Sequence, residues 1–212
     1  MSLRQSCRTL PAILLLALGI ASCANAAVVP PVVLIVGDSI SAGYGLPPGK
    51  GWVSLLTERL RKDGDPHVVV NASVTGDTTA GGRARLPALL KQHQPAIVIL
   101  ELGGNDALRG NSLAASRTNL DAMVTAAQSA KARVLLVGMQ MPPNYGPAYV
   151  REFNGMFETV AKAKRVPLVP AFFAGFGDDL ELFQPDRIHP TAQAQPKLLD
   201  NVWPALQPLL KK

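Results

Sequence analysis

Val32-Val33-Leu34-Ile35-Val36-Gly37-Asp38-Ser39-Ile40 is the stretch on which the fold turns. An unbroken run of aliphatic, mostly β-branched residues suits a strand buried on both faces of a parallel sheet, since such a strand has no polar face. The run stops at Gly37-Asp38-Ser39, small and polar residues suited to the turn that leaves a strand. Similar runs follow at Val68 to Val70, Ile97 to Leu102 and Val134 to Val137, with a weaker one at Val166 to Val169. Between and after them, Trp52 to Arg61, Arg83 to Gln92, Ser116 to Ala130, Ala148 to Lys164 and Ala192 to Leu210 have helix-compatible composition. The first three repeat apolar residues every three or four positions.

Strand and helix therefore alternate, which predicts an α/β domain: a three-layer α/β/α sandwich on a parallel five-stranded sheet with right-handed crossovers. No repeat, low-complexity tract or long linker divides it. In such sheets the loops at the carboxyl ends of the strands form the binding crevice, so Ser39 stands where a ligand is expected.

The N-terminal segment reads differently. Arg4 and Arg8 precede the apolar run Ile13 to Ile20, and Ala24-Asn25-Ala26 supplies small residues for cleavage, so residues 1–26 are expected to be a secretory signal peptide. The apolar run is short for a membrane-spanning helix. A second processing route competes, because Ile20-Ala21-Ser22-Cys23 resembles a bacterial lipobox and cleavage before Cys23 leaves a lipid-anchored protein. The soluble product, periplasmic or secreted, is the expectation. Residues 27–212 then form a single domain of 186 residues, enough for one sizeable core. Both cysteines, Cys7 and Cys23, leave with the signal, so no disulfide and no cysteine nucleophile are expected. The net charge of +6 falls to +4 with the loss of Arg4 and Arg8. The remaining cations are scattered, without the clustered stripe of a nucleic-acid site; a solvated basic surface is expected, with attraction to anionic lipid left open.

Chemistry is sought at the strand ends. Ser39 is placed as a nucleophile, although small polar residues are also ordinary in such turns, and no G-x-S-x-G elbow occurs anywhere. A serine hydroxyl needs a base. Of the three histidines, His67 and His93 read as surface residues, whereas His189 lies in Asp186-Arg187-Ile188-His189-Pro190 before the last helix. Asp186 is suitably spaced to orient one ring nitrogen of His189, or is simply a turn residue. Donors for an oxyanion come from Gly76, in Asn71-Ala72-Ser73-Val74-Thr75-Gly76-Asp77, and from Asn105, in Gly103-Gly104-Asn105-Asp106. Each is equally at home as loop punctuation. No pair of histidines has ligand spacing and no glycine-rich phosphate loop opens, so neither metal nor cofactor is expected.

Taken in order, Gly37-Asp38-Ser39, Gly76, Gly103-Gly104-Asn105-Asp106 and Asp186-Arg187-Ile188-His189-Pro190 resemble the four sequence blocks of the SGNH (GDSL-like) hydrolase family. The resemblance spans essentially all of residues 27–212. Ala84 to Pro95, Glu101 to Asp106 and Pro143 to Gly146 bring it near an exported bacterial branch with arylesterase, thioesterase and lysophospholipase activity. It implies a flavodoxin-like sandwich, with Ser39 as nucleophile, His189 as general base and then acid, and Asp186 orienting His189. The Ser39 and Gly76 backbone N–H groups and the Asn105 side chain would form the oxyanion hole. Ile40 replaces the leucine of the GDSL name, and Arg187 replaces a glycine, placing a cation beside the base, open to an anionic substrate or to solvent.

The implied substrates are acyl esters, arylesters, thioesters and lysophospholipids, with membrane lipid as one source, no nucleic-acid partner, and a monomer as the default. Ala107 to Ser112 is placed to border the acyl groove, with Leu108, Met141, Pro142 and Ile188 as candidate lining. The alternative enzyme is a carbohydrate acetylesterase acting on cell-envelope polysaccharide, and the non-enzymatic one an exported binding domain.

Overall fold

The computed structural model describes residues 29–141 and 143–211. Residues 1–26, with the expected signal peptide and Cys23, lie outside them, as does Pro142. Five parallel strands, β1 (Val32–Gly37), β2 (Val68–Asn71), β3 (Ile97–Glu101), β4 (Arg133–Val137) and β5 (Leu168–Val169), form one sheet in the order β2-β1-β3-β4-β5. The chain leaves β1 toward β2 and returns past it to β3, so the carboxyl ends of β1 and β3 flank the topological switch point where open α/β sheets bind ligands. That order is the flavodoxin-like one.

Helices α2 (Trp52–Lys62) and α7 (Gln195–Leu210) pack together, and α3 (Thr79–His93), α5 (Leu113–Ser129) and α6 (Pro147–Lys164) form the other layer. Right-handed crossovers require this division, because the step to β2 and the steps to β3, β4 and β5 run in opposite directions along the sheet. Each helix turns a narrow apolar face inward: Trp52, Val53, Leu56 and Leu60 of α2 are buried, as are Phe153, Met156, Phe157 and Val160 of α6. Burying each such side chain contributes roughly 1.5–3 kcal/mol. No helix among the described residues is long and apolar enough to cross a membrane.

Three sequence expectations need correction. The run Val68 to Val70 does not make a doubly buried strand: β2 is the sheet edge, where Val68 is exposed and Val69 and Val70 are half-buried, because only one neighbour covers it. The fifth strand is two residues long, since Val166 and Pro167 still belong to the exit from α6, where Val166 N–H bonds Ala161 O at 3.0 Å. Helix α3 starts at Thr79, four residues before Arg83, because the Thr78 hydroxyl caps it by accepting from Gly81 N–H at 3.2 Å.

Candidate active site

Ser39 follows β1 and opens a single helical turn, α1 (Ser39–Ala42), rather than sitting in an open loop. Asp38 caps that turn, its Oδ1 accepting from Ile40 N–H at 3.0 Å. This fixes the backbone around Ser39 and leaves its side chain at the carboxyl edge of the sheet. His189 reaches it from the other end of the sequence: Nε2 lies 2.8 Å from Ser39 Oγ, and Nδ1 lies 2.7 Å from Asp186 Oδ2. The other Asp186 oxygen accepts from the N–H groups of Ile188 and His189, at 2.9 and 3.0 Å. The three candidate residues therefore form one hydrogen-bonded series.

The loop bearing His189 is held by residues that give no motif signal. Gln184 N–H donates to His189 O at 2.7 Å, and the Gln184 amide donates to Tyr44 O at 2.9 Å. Gln195 Oε1 accepts from Trp52 N–H at 2.9 Å while its Nε2 reaches Pro190 O at 3.3 Å. The Tyr44 ring lies 4.5 Å from the imidazole, centroid to centroid. Arg187 occupies the left-handed region at φ 58°, a conformation that costs a side chain about 1 kcal/mol and that glycine adopts freely.

Gly76 and Asn105 follow β2 and β3, the two strands that flank β1, so strand order alone brings both toward Ser39. Gly76 has φ 78°, which glycine adopts without strain. Asn105 lies in the first turn of a short helix, α4 (Gly104–Leu108), not in the expected loop, and its Nδ2 donates to Asp38 Oδ2 at 3.0 Å. An amide nitrogen carries two hydrogens, so one orients Asn105 and one remains for a ligand. Leu108 and Ile188 are exposed beside Asn105 and His189, whereas Met141 is buried with the core. Of the proposed lining among the described residues, then, only Leu108 and Ile188 present a free apolar surface.

Beneath this edge lies a buried polar cluster that the sequence reading missed. Glu101, the last residue of β3, is fully buried; its Oε2 accepts from Ser41 Oγ at 2.6 Å and from Asp38 N–H at 3.4 Å. The Trp52 indole donates to Ser41 Oγ at 3.2 Å. Gly37 has no room for a side chain, since a Cβ would stand 2.7 Å from Glu101 Oε2. Burial pushes the Glu101 carboxyl well above its ordinary range, aided by the adjacent Asp38. Burial likewise raises Asp38 to about 6, against the opposing pull of Ile40 N–H, His189 and Asn105. For Asp186, desolvation acts upward, but the hydrogen bonds from His189 and Ile188 outweigh it and hold the carboxyl down at about 2. The available signal was Glu101 itself, a charged residue at the end of an otherwise apolar run.

His67 corrects a further expectation. Its side chain is 5% exposed, held by Asp65 at 2.6 Å, and is not a surface residue. It lies at the amino end of β2, at the opposite edge of the sheet from Ser39. Among the described residues no group of three or more His, Cys, Asp or Glu side chains is placed to hold a metal.

A doubly wound sheet with a serine, a histidine and an aspartate in hydrogen-bonded series at its carboxyl edge has the architecture of a serine hydrolase. Residues 35–195 match the model of the GDSL-like lipase/acylhydrolase family. The chain belongs to that family and is an ester hydrolase. It is 52% identical over 177 residues to the Esterase TesA of Pseudomonas aeruginosa, covering 84% of this chain and 88% of that one. It is 42% identical over 177 residues to the thioesterase 1/protease 1/lysophospholipase L1 of Escherichia coli K12, covering 84% of each. Among solved structures, the psychrotrophic esterase EstA from Pseudoalteromonas, inhibited by monoethylphosphonate, superposes with a TM-score of 0.80 at 37% identity, covering 85% of this chain and 99% of that one.

Proposed function

We propose that the chain hydrolyses acyl esters and thioesters by two-step acyl transfer, with Ser39 as nucleophile, His189 as base and acid, and Asp186 orienting His189. The observation that supports it most directly is the series of 2.8 and 2.7 Å contacts from Ser39 Oγ through the imidazole to Asp186. In the neutral ring Nδ1–H donates to Asp186, which leaves Nε2 to accept the Ser39 proton as Oγ attacks the acyl carbonyl. Charge moves onto the carbonyl oxygen, toward the Ser39 and Gly76 N–H groups and the Asn105 amide. His189 then protonates the leaving alcohol or thiol. Water, deprotonated by His189, attacks the acyl-serine carbonyl, and the acid departs as Ser39 regains its proton.

The relatives named esterase and thioesterase/lysophospholipase support acyl esters, thioesters and lysophospholipids as substrates. Leu108 and Ile188 would lie along the acyl chain. The protein would act as a single domain, residues 27–212, outside the cytoplasm after loss of residues 1–26; N-terminal sequencing of the exported protein is expected to begin at Ala27, and a lipidated Cys23 would overturn that.

Hydrolysis of p-nitrophenyl esters from acetate to palmitate, by wild type and Ser39→Ala, tests the reading. Activity on medium or long chains that vanishes in the variant is expected. Activity confined to acetate would point to a carbohydrate acetylesterase, and equal activity in both proteins would remove Ser39 from the mechanism.

A further inference from the structure

We propose that Arg85, nearly two turns into α3, is a positioning residue that fixes the Gly76 loop against the nucleophile strand and so sets the spacing of two oxyanion donors. The proposal rests on the assignment of Ser39, Gly76 and Asn105 as the oxyanion hole. The guanidinium bonds three segments at once: Nε donates to Asp77 Oδ2 at 2.7 Å, one terminal nitrogen to Ala72 O, and the other to Gly37 O at 3.3 Å. Gly37 precedes the Asp38-Ser39 turn, Ala72 follows β2, and Asp77 is the neighbour of Gly76. Arg85 and Asp77 are largely buried, 24% and 10% exposed.

The same loop is tied on its other side to the helix that carries Asn105. Arg109 donates to Gly76 O at 2.7 Å, and the Thr79 N–H and hydroxyl donate to Asp106 at 2.8 and 2.6 Å. Toward β1, Ala72 N–H bonds Ile35 O at 2.9 Å, Val74 N–H bonds Gly37 O at 3.0 Å and the Asn71 amide donates to Ser41 O at 2.8 Å; Arg85 is the side chain that joins Gly37 to Asp77, next to Gly76. A planar fork with five N–H donors can span a carboxylate and two carbonyls together; an ammonium on a flexible stem cannot hold all three in one geometry. Precision matters here, because oxyanion donors work at about 2.7–3.1 Å, and a misplacement of about 1 Å costs on the order of 100-fold in rate.

The test compares Arg85→Lys, Asp77→Asn and the double variant for kcat, KM and Tm on p-nitrophenyl butyrate, with Asn105→Ala alongside. The expected result is a loss of about 10- to 100-fold in kcat for Arg85→Lys, with KM within about threefold, since the donors act on the transition state. The double variant should be no worse than the poorer single one. Wild-type kcat in Arg85→Lys, while Asn105→Ala is impaired, overturns the clamp and spares the hole. Unchanged kcat in Asn105→Ala overturns the hole assignment and the clamp with it. A kcat loss that tracks a fall in Tm, recovers on cooling and adds to that of Asp77→Asn would make Arg85 merely structural.

Discussion

Two aspartates stand near Ser39, Asp186 through His189 and Asp38 as its chain neighbour, and they meet opposite environments. Asp186 is 38% exposed, yet its two oxygens accept three hydrogen bonds, from two backbone N–H groups and the imidazole, and its carboxyl is held at about 2. Asp38 is 2% exposed, bonds Ile40 N–H and the Asn105 amide, and is pushed up to about 6 because burial outweighs those bonds. Exposure and charge are thus decoupled: donors, not water, keep Asp186 ionised, and too few donors leave Asp38 costly to ionise. The exposed carboxylate suits a permanent partner for an imidazolium. The buried one orients Ile40 and Asn105, and its charge is lost at a higher pH than that of Asp186.

The largest expected effect removes what both sides serve. Ser39→Ala or His189→Ala should lower kcat by about 10⁴-fold or more, and retention of activity would dissolve the comparison. Next, Asp186→Asn should cost about 10²- to 10⁴-fold, because an amide cannot serve the ring as the carboxylate does, whereas Asp38→Asn should cost only about tenfold. Initial rates at saturating ester decide it; a greater loss in Asp38→Asn would exchange the two roles.

A smaller effect concerns stability against pH. A carboxyl whose folded value is raised binds its proton more tightly in the folded state. Its stabilising contribution is therefore full below the ordinary value near 3.8 and is lost as pH rises through about 6. Asp186, with a lowered value, works in reverse: its contribution is present above 3.8 and lost as pH falls toward 2. Asp38→Asn should consequently melt higher relative to wild type at pH 8 than at pH 4, whatever fixed cost the amide brings. Asp186→Asn should lose most relative to wild type at neutral pH and converge on it in acid. Parallel Tm curves for Asp38→Asn and wild type would remove the burial argument.

Much of this arrangement was legible in the chain, for an identifiable reason. Runs such as Val32 to Val36 and Ile97 to Leu100 encode strand and burial together, and strand-end position then marks Ser39 and Asn105. His189 and Asp186 lie within one turn of chain, so their pairing could be read locally. What escaped depends on distant partners. Glu101 meets Ser41, Arg85 meets Gly37, and Asn105 meets Asp38 across 60, 48 and 67 residues, so residue type alone gives no sign of the contact. The edge position of β2 and the burial of His67 likewise follow from sheet order, which no local pattern records.

Glu101 sharpens the comparison with the smallest effect. It is fully buried beneath the same turn; Ser41 Oγ donates to one oxygen at 2.6 Å, while Oε1 has no partner. Burial, with Asp38 beside it, raises the Glu101 carboxyl well above the usual range and so favours its protonated form. Glutamine reproduces that neutral shape: its carbonyl can accept from Ser41, and its amide takes the place of the unpartnered oxygen. Glu101→Gln should therefore change stability at pH 7 by no more than about 1 kcal/mol, small beside the roughly 3–5 kcal/mol typical of breaking a buried ion pair. Relative to wild type the variant should gain as pH rises, because ionising Glu101 destabilises wild type and leaves the amide untouched. Thermal melts at pH 7 and 9 measure both. A large loss at pH 7, with Ser39 still labelled normally by a phosphonate, would mean that Glu101 is ionised and that the buried side of the site holds a working charge after all.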